Sequence, residues 1–441
     1  MRAWVLTCVR TCVVLSVCAA LPALAADRVS IQEVLRKVVA TDPQIAMRQA
    51  SLNAAEAERR ASEAVLYPSV DLSTQAGRAA RNDVGGAASS SADDGLSRPG
   101  RSTSLTVSQL LFDAGKSSAQ VQISQLRADR ERIALRKTID ERVLVALQAS
   151  LDLAAQRSKL DQVKAVEGRL ERLVSIVEGR LRSGQAPLVE LRRAQSRLLD
   201  QRRAVAEASG LRRQAEQRFL LVTGVAGTDL ELGSMPARQL DPREIGKLRA
   251  ACQKQCLDVA DAELAVEAAR REVDATTSAF LPKVVLQASA AHNMNSTGAP
   301  DHYSSRNVWV VATWNLYSGG GDLARRRSAH ERVAAGEAQT QAVVQQATGD
   351  FDKLEQEYLT AIEVERLARS AAEVAADTRS LAERGYEAGV RPLLDVADTL
   401  VEEARAQANV IDAGTQKAFA QYRLLTLVGD LAARMGAVAE S

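Results

Sequence analysis

The residues Ala114-Gly115-Lys116-Ser117 have the types and order that end a phosphate-binding loop. That chemistry needs G-x-x-x-x-G-K-[ST], where two glycines let backbone N–H groups curl around an anion. With Gly115 as the second glycine, the first would fall at Leu110, whose side chain blocks the curl. His292, His302 and His330 stand without the cysteine, serine or metal-ligand spacing of a catalytic set. Cys252 and Cys256 are spaced i and i+4. Helical geometry strains a bridge at that spacing, so they read as two small residues on a helix face, with a bridge, which an oxidising compartment would permit, as the open alternative. The reading is of a protein with no catalytic residues, no cofactor and no metal site. Asp395 and Asp398 lie three apart on one face of a helix whose first turn holds Pro392. Two carboxylates there either favour the helix N-terminus electrostatically or present charge to a passing ion.

The first 25 residues read as a secretory signal. Arg2 and Arg10 are their only charges, Val13 to Ala20 are mostly apolar, and Ala23-Leu24-Ala25 fits a small-residue cleavage site. Leu15-Ser16-Val17-Cys18 is a poor lipoprotein box, because valine occupies the place of a small residue. The full chain carries 57 Lys and Arg against 55 Asp and Glu, so losing Arg2 and Arg10 leaves it formally neutral. That balance gives no support for a nucleic-acid partner.

An internal repeat organises the remainder. Phe112-Asp113-Ala114-Gly115 pairs with Tyr317-Ser318-Gly319-Gly320. Gly184 to Leu188 pairs with Gly389 to Leu393, and Thr223-Gly224 with Val428-Gly429. The step is the same across these pairs, with no gap, whereas upstream Tyr67-Pro68 pairs with Leu281-Pro282 at a longer step, so the first copy carries the longer loop between its strands. Each half reads as helix, strand, loop, strand, very long helix, turn, helix. Residues 26–224 form the first copy, 225–240 a linker, 241–429 the second copy and 430–441 a tail. Gly115, Gly319 and Gly320 therefore read as strand-to-helix turns, where backbone freedom is needed.

The helix after Ser30 is interrupted at Asp42-Pro43. Strands follow at roughly 68–78 and 102–113, with Leu105, Val107 and Leu111 alternating against Thr106 and Ser108. Val310, Ala312 and Leu316 keep the same parity in the second copy. Residues 79–101 and 293–306 read as solvated loops. Tyr67, Phe112, Phe280, Tyr303, Trp309, Trp314 and Tyr317 lie in or beside the four strands, half of all the chain's aromatics. Strands of about 9–11 residues with aromatics at the edges suit a membrane-crossing barrel. Gly115 to Ser183 contains no proline and would extend about 100 Å as a helix. Val163, Val166, Leu170, Leu173 and Val177 form a coiled-coil seam, and Leu191, Leu198 and Val205 step by seven after the turn. Each half thus supplies an antiparallel helical hairpin.

Four strands cannot close a barrel, and open edges in lipid leave backbone groups unsatisfied. Three copies would give an even ring of twelve. Here the chain resembles the TolC family of outer-membrane efflux and secretion channels. The likeness rests on the duplicated strand–glycine–helix signatures and on "GYEAGVRPLLDVADTL" from Gly385 to Leu400.

The resemblance implies an α+β membrane protein. Long antiparallel coiled-coil hairpins would form a periplasmic tunnel, joined to a twelve-stranded barrel shared by a homotrimer in the outer-membrane lipid. It implies a periplasmic membrane-fusion adaptor and an inner-membrane transporter as partners. By the same resemblance, Asp395 and Asp398 match aspartates ringing the periplasmic constriction. Tyr386 and Arg391 match residues that latch the helices closed. Glu190 takes the place of their acidic partner, with an arm one methylene longer than aspartate. For cargo, the sequence leans towards type I protein secretion, with multidrug efflux the alternative. A periplasmic coiled-coil adaptor is the alternative of another class.

Overall fold

The computed structural model describes residues 29–80, 97–227, 240–296 and 301–438. The signal-peptide segment, most of the 225–240 linker and the last residues of the tail lie outside the described residues. Two short helices, α1 (Ile31–Thr41) and α2 (Pro43–Glu63), lead into strands β1 (Ser69–Ala79) and β2 (Arg98–Phe112). Two long helices follow, α3 (Lys116–Arg182) and α4 (Leu188–Thr223). The order then recurs as α5 (Pro242–Gln255), α6 (Leu257–Thr277), β3 (Lys283–Met294), β4 (His302–Thr313), α7 (Gly321–Glu387) and α8 (Leu393–Val428). A single turn, α9 (Leu431–Arg434), follows. Helices α3 and α7 are both 67 residues long, and α4 and α8 are both 36.

Local chemistry sets the boundaries. Ser30 and Glu33 form a reciprocal capping box at the start of α1, and Ile31, Val34, Leu35 and Val38 bury its apolar stripe. Asp42 ends α1 and caps α2. Its carboxylate accepts from the Gln44 N–H at 2.8 Å and pairs with Arg142 of α3 at 2.7 Å. Pro43 follows at the first position of α2, where its missing N–H costs nothing.

The strands form one antiparallel sheet in the order β1-β2-β3-β4, so the β2–β3 pairing joins the two copies. The register splits the sheet into two faces. Val70, Leu72, Leu105, Val107, Leu286, Val308 and Val310 fall on one. Ser73, Gln75, Ser104, Thr106, Ser108, Gln287, Ser289 and Asn307 fall on the other. The apolar face is open: Leu72 is 71% and Val310 65% exposed. Among the described residues no helix is long and apolar enough to cross a membrane.

Three strand expectations are corrected. β2 begins at Arg98, and β3 and β4 extend through Met294 and from His302, so much of 293–306 is strand. The polar residues there mimic a loop because both faces are polar at this end of the sheet, Ser304 and Arg306 on one and Ser305 and Asn307 on the other. A bulge between Leu110 and Phe112 lets Phe112 pair with Val284, so Leu111 leaves the alternation of Leu105 and Val107. β4 ends at Thr313, leaving Leu316 beyond the strand.

Cys252 and Cys256 form a disulfide. The chain breaks between α5 and α6 at Cys256 (φ −54°, ψ 139°), which removes the continuous helix on which the expected strain rested. Both sulfurs lie in the main core, where α1, α3, α4, α5, α7 and α8 converge around Leu35, Leu147, Phe219, Phe351, Tyr358 and Tyr422. The Tyr358 hydroxyl accepts a hydrogen bond from the Leu240 N–H at 3.1 Å. Smaller apolar clusters stand under the far ends of the two hairpins.

Candidate functional site

The sheet-to-helix junction answers the phosphate-loop reading. Ala114 and Gly115 both take positive φ (57° and 83°), as do Gly319 and Gly320 (65° and 82°) at the equivalent positions. Such a turn suits glycine at the second position in each copy. The Asp113 carboxylate accepts from the Gly115 N–H at 3.1 Å and the Ser117 N–H at 2.8 Å, and from the Ser117 hydroxyl. The donors that a phosphate would need are thus held by the chain's own aspartate. Ser318 and Asp322 make the corresponding contact at the second junction. Arg325 adds its charge, and the Asp322 carboxyl is held below its ordinary range, chiefly by the Ser318 hydroxyl.

At the far end, both hairpins turn in the same way. The Gly184 and Gln185 N–H groups donate to Leu181 and Arg180 carbonyls, and those of Gly389 and Val390 donate to Tyr386 and Gly385. Each glycine is left-handed, at φ 71° and 74°. This pattern satisfies the last carbonyls of α3 and α7 and reverses the chain. Pro187 and Pro392 take extended conformations immediately before α4 and α8, so Pro392 precedes the first helical turn rather than lying within it.

The second turn positions the named residues. Asp395 and Asp398 stand one turn apart at the start of α8, both half-buried. Asp398 pairs with Arg197 of α4 at 3.0 Å, joining the two hairpins. Among the described residues Asp395 has no ion-pair partner. Tyr386 packs with the apolar clusters of the tip. The Arg180 guanidinium sits over its ring, 4.6 Å from the centroid. The phenolic oxygen is buried and has no hydrogen bond among the described residues. Burial pushes the phenol up, Arg180 opposes that shift and nearby Glu190 adds to it. The stem of Arg391 crosses Gly385 so closely that a Cβ there would lie 3.1 Å from its Cγ. Glu190 lines a cleft of about 310 Å³ between the hairpin tips, with Leu170, Leu173, Arg193, Pro392 and Leu393. Within one chain, then, Tyr386, Glu190 and Arg391 are neighbours at one tip but share no hydrogen bond among the described residues.

Sequence reasoning missed the charges that hold the hairpins together. Glu403 of α8 is 7% exposed and lies between Arg169 of α3 at 3.2 Å and Arg379 of α7 at 2.7 Å. Lys159 of α3 pairs with Asp412 of α8 at 2.5 Å. A buried carboxylate must be paired to remain charged, so Glu403 ties α8 to α3 and α7. These partners lie far apart in the chain, and no local pattern announces them. Among the described residues no group of three His, Cys, Asp or Glu side chains could hold a metal.

A family model described as outer membrane efflux protein matches residues 34–225 and 250–430. A comparison with curated proteins gives no match. Among solved structures, CusC is 16% identical, with 90% of this chain and 91% of that chain covered and a TM-score of 0.74. The outer membrane protein VceC from Vibrio cholerae is 17% identical, covering 92% and 96%, with a TM-score of 0.70. The open state of the Neisseria gonorrhoeae MtrE outer membrane channel is 15% identical, covering 91% and 89%, with a TM-score of 0.74. At these identities the likeness shows a shared fold.

Proposed function

The chain belongs to the outer membrane efflux protein family, and from that membership we propose that three copies close one barrel and one helical tunnel, forming an export duct. The observation that carries this reading is the four-stranded sheet. One face is apolar and open, the other polar, and β1 and β4 have no strand partner on their outer sides among the described residues. In lipid each unpaired backbone group costs several kcal/mol. Pairing β4 of one copy with β1 of the next satisfies both edges, with the serine- and threonine-rich face lining the conduit. The open apolar sheet face also weighs against the periplasmic adaptor alternative, since such a protein needs no lipid-facing strands.

The tip is the gate in this proposal. Three copies of Asp395 would stand around the axis, with three copies of Asp398 each held by its own Arg197. Tyr386, Arg391 and Glu190 would complete their latch across or along the protomer boundary. A periplasmic membrane-fusion adaptor and an inner-membrane transporter would deliver cargo to the opened end. The likeness of the tip to the TolC family supports type I protein secretion, and the family description supports small-molecule efflux. Deleting the protein and comparing the secreted proteome with sensitivity to toxic compounds separates the two. Loss of one phenotype and not the other assigns the cargo. The duct itself is tested by reconstituting purified protein in a planar bilayer, where absence of discrete conductance steps would refute it.

A further inference from the structure

The two ends of the apolar sheet face differ in chemistry. Tyr67, Phe112, Phe280, Trp314 and Tyr317 all lie at the end nearer the helices. The Trp314 indole N–H donates to the Phe280 carbonyl at 3.1 Å. The expectation of aromatics at both bilayer edges is therefore met on the helix side alone. Trp309 pairs with Gln287 in mid-strand and Tyr303 with Asn293, both on the polar face.

At the other end the apolar face carries cations instead. One cross-strand row contains Val70, Val107, Ala288 and Val308. The next row outward replaces its β4 member with Arg306, opposite Ala290. Two rows further, Arg101 stands between Ala76 and Met294. Arg78 follows on β1, two residues beyond Ala76, so Arg78 and Arg101 are diagonal neighbours on one face. Such neighbours lie about 7–8 Å apart between backbones, within reach of each other's guanidinium groups. All three arginines are exposed. Among the described residues none of them pairs with a carboxylate. Asp71, within β1, falls on the polar face, opposite Thr106.

A polar row of Thr74, Thr103, His292 and Ser304 separates this pair from the apolar rows, and Arg78 also donates to the Ser97 carbonyl at 3.4 Å. Two like charges held side by side there repel each other, and an anion bridging them relieves the repulsion. The position is the outer margin of the lipid-facing surface, where headgroups replace acyl chains. We propose that Arg78 and Arg101, with Arg306 on β4, bind the phosphate groups of outer-leaflet lipid headgroups. Guanidinium forks match phosphate oxygens in a bidentate manner and stack flat against the sheet, which lysine would not do. The aromatics would set the inner edge of the barrel in the bilayer and the arginine–phosphate contacts its outer edge. This inference rests on the barrel reading, because it needs the apolar face to look towards lipid.

The test uses detergent-purified full-length protein and native mass spectrometry with bisphosphorylated lipid A or the same lipid stripped of phosphate. Wild type is expected to retain the phosphorylated lipid roughly thirtyfold better, about fivefold for each of two basic residues at an anionic surface. Arg78→Gln/Arg101→Gln should lose most of that preference, and Arg78→Lys/Arg101→Lys should keep an intermediate share. Failure of wild type to conduct in a planar bilayer would refute the barrel reading itself. Conducting channels that bind both lipids equally would overturn the inference alone, as would an undiminished preference in the glutamine variant. Should the double variant not fold, the wild-type comparison of the two lipids decides the matter.

Discussion

Arg197 of α4 pairs with Asp398 of α8 at 3.0 Å, while Asp395, one turn nearer the tip, has no ion-pair partner among the described residues. The two carboxylates are therefore unequal. Both members of the pair are 45% exposed, so the contact contributes at most about 1 kcal/mol. Its main consequence is for the local field. Arg197→Gln should strengthen cation selectivity and multivalent-cation block in planar-bilayer recordings, because Asp398 loses its compensating charge. Asp395→Ala/Asp398→Ala should weaken both. Identical selectivity in the two variants would remove these aspartates from the constriction.

The contact between Arg180 and Tyr386 belongs to the ring, since the phenolic oxygen has no hydrogen bond among the described residues. Tyr386→Phe should accordingly leave single-channel conductance near wild type. Tyr386→Ala and Arg391→Ser should raise it. A cation–π contact of about 1 kcal/mol would shift a closed–open balance about fivefold. A phenylalanine variant as open as the alanine variant would show instead that the hydroxyl finds a partner across the protomer boundary.

Asp140 of α3 gives a pH signature. It is buried, and one oxygen accepts from the Ala432 N–H at 2.8 Å while the other meets no hydrogen-bond criterion among the described residues. Burial raises its carboxyl to about 6, against the lowering effects of that hydrogen bond and of Arg136. The folded form therefore holds the proton more tightly than the unfolded chain. This group's contribution to stability is fully present below about pH 4 and is lost as pH rises towards 6, at most about 3 kcal/mol. Asp140→Asn should melt near wild type at pH 4 and above it at pH 7. A wild-type advantage at pH 7 would show that the charged carboxylate is needed to hold the C-terminal turn.

Beyond residue 25, Cys252 and Cys256 are the only cysteines in the sequence. The native protein should take up no maleimide until it is reduced and unfolded, as intact mass will show. Closing so short a loop constrains the unfolded chain little, so Cys252→Ala/Cys256→Ala should cost no more than about 2 kcal/mol. Free thiols in protein extracted from an oxidising compartment would contradict the bridge.

Much of the fold was legible because the repeat and the seams are long-range regularities. Val166, Leu170 and Val177 are buried along α3 as their spacing indicates. Strand extents were less legible. Polar residues on both faces at one end of the sheet give Ser304 and Ser305 the look of a loop, and the bulge at Leu111 leaves no mark in composition. The break at Cys256 lacks proline or glycine, which is why the cysteines read as one helix face. Arg197, Arg180 and Glu403 were missed because their partners lie on other helices. Tyr386, Glu190 and Asp395 were named through resemblance alone, and their place at the tip is a matter of geometry that spacing alone does not give.

The central claim is that one chain supplies a third of a closed conduit. Native mass spectrometry of the protein extracted from membranes in detergent tests it most directly. The account predicts three chains per particle, with no population of stable monomer. A folded monomer that stays in solution without detergent, or a particle of another copy number, would contradict it.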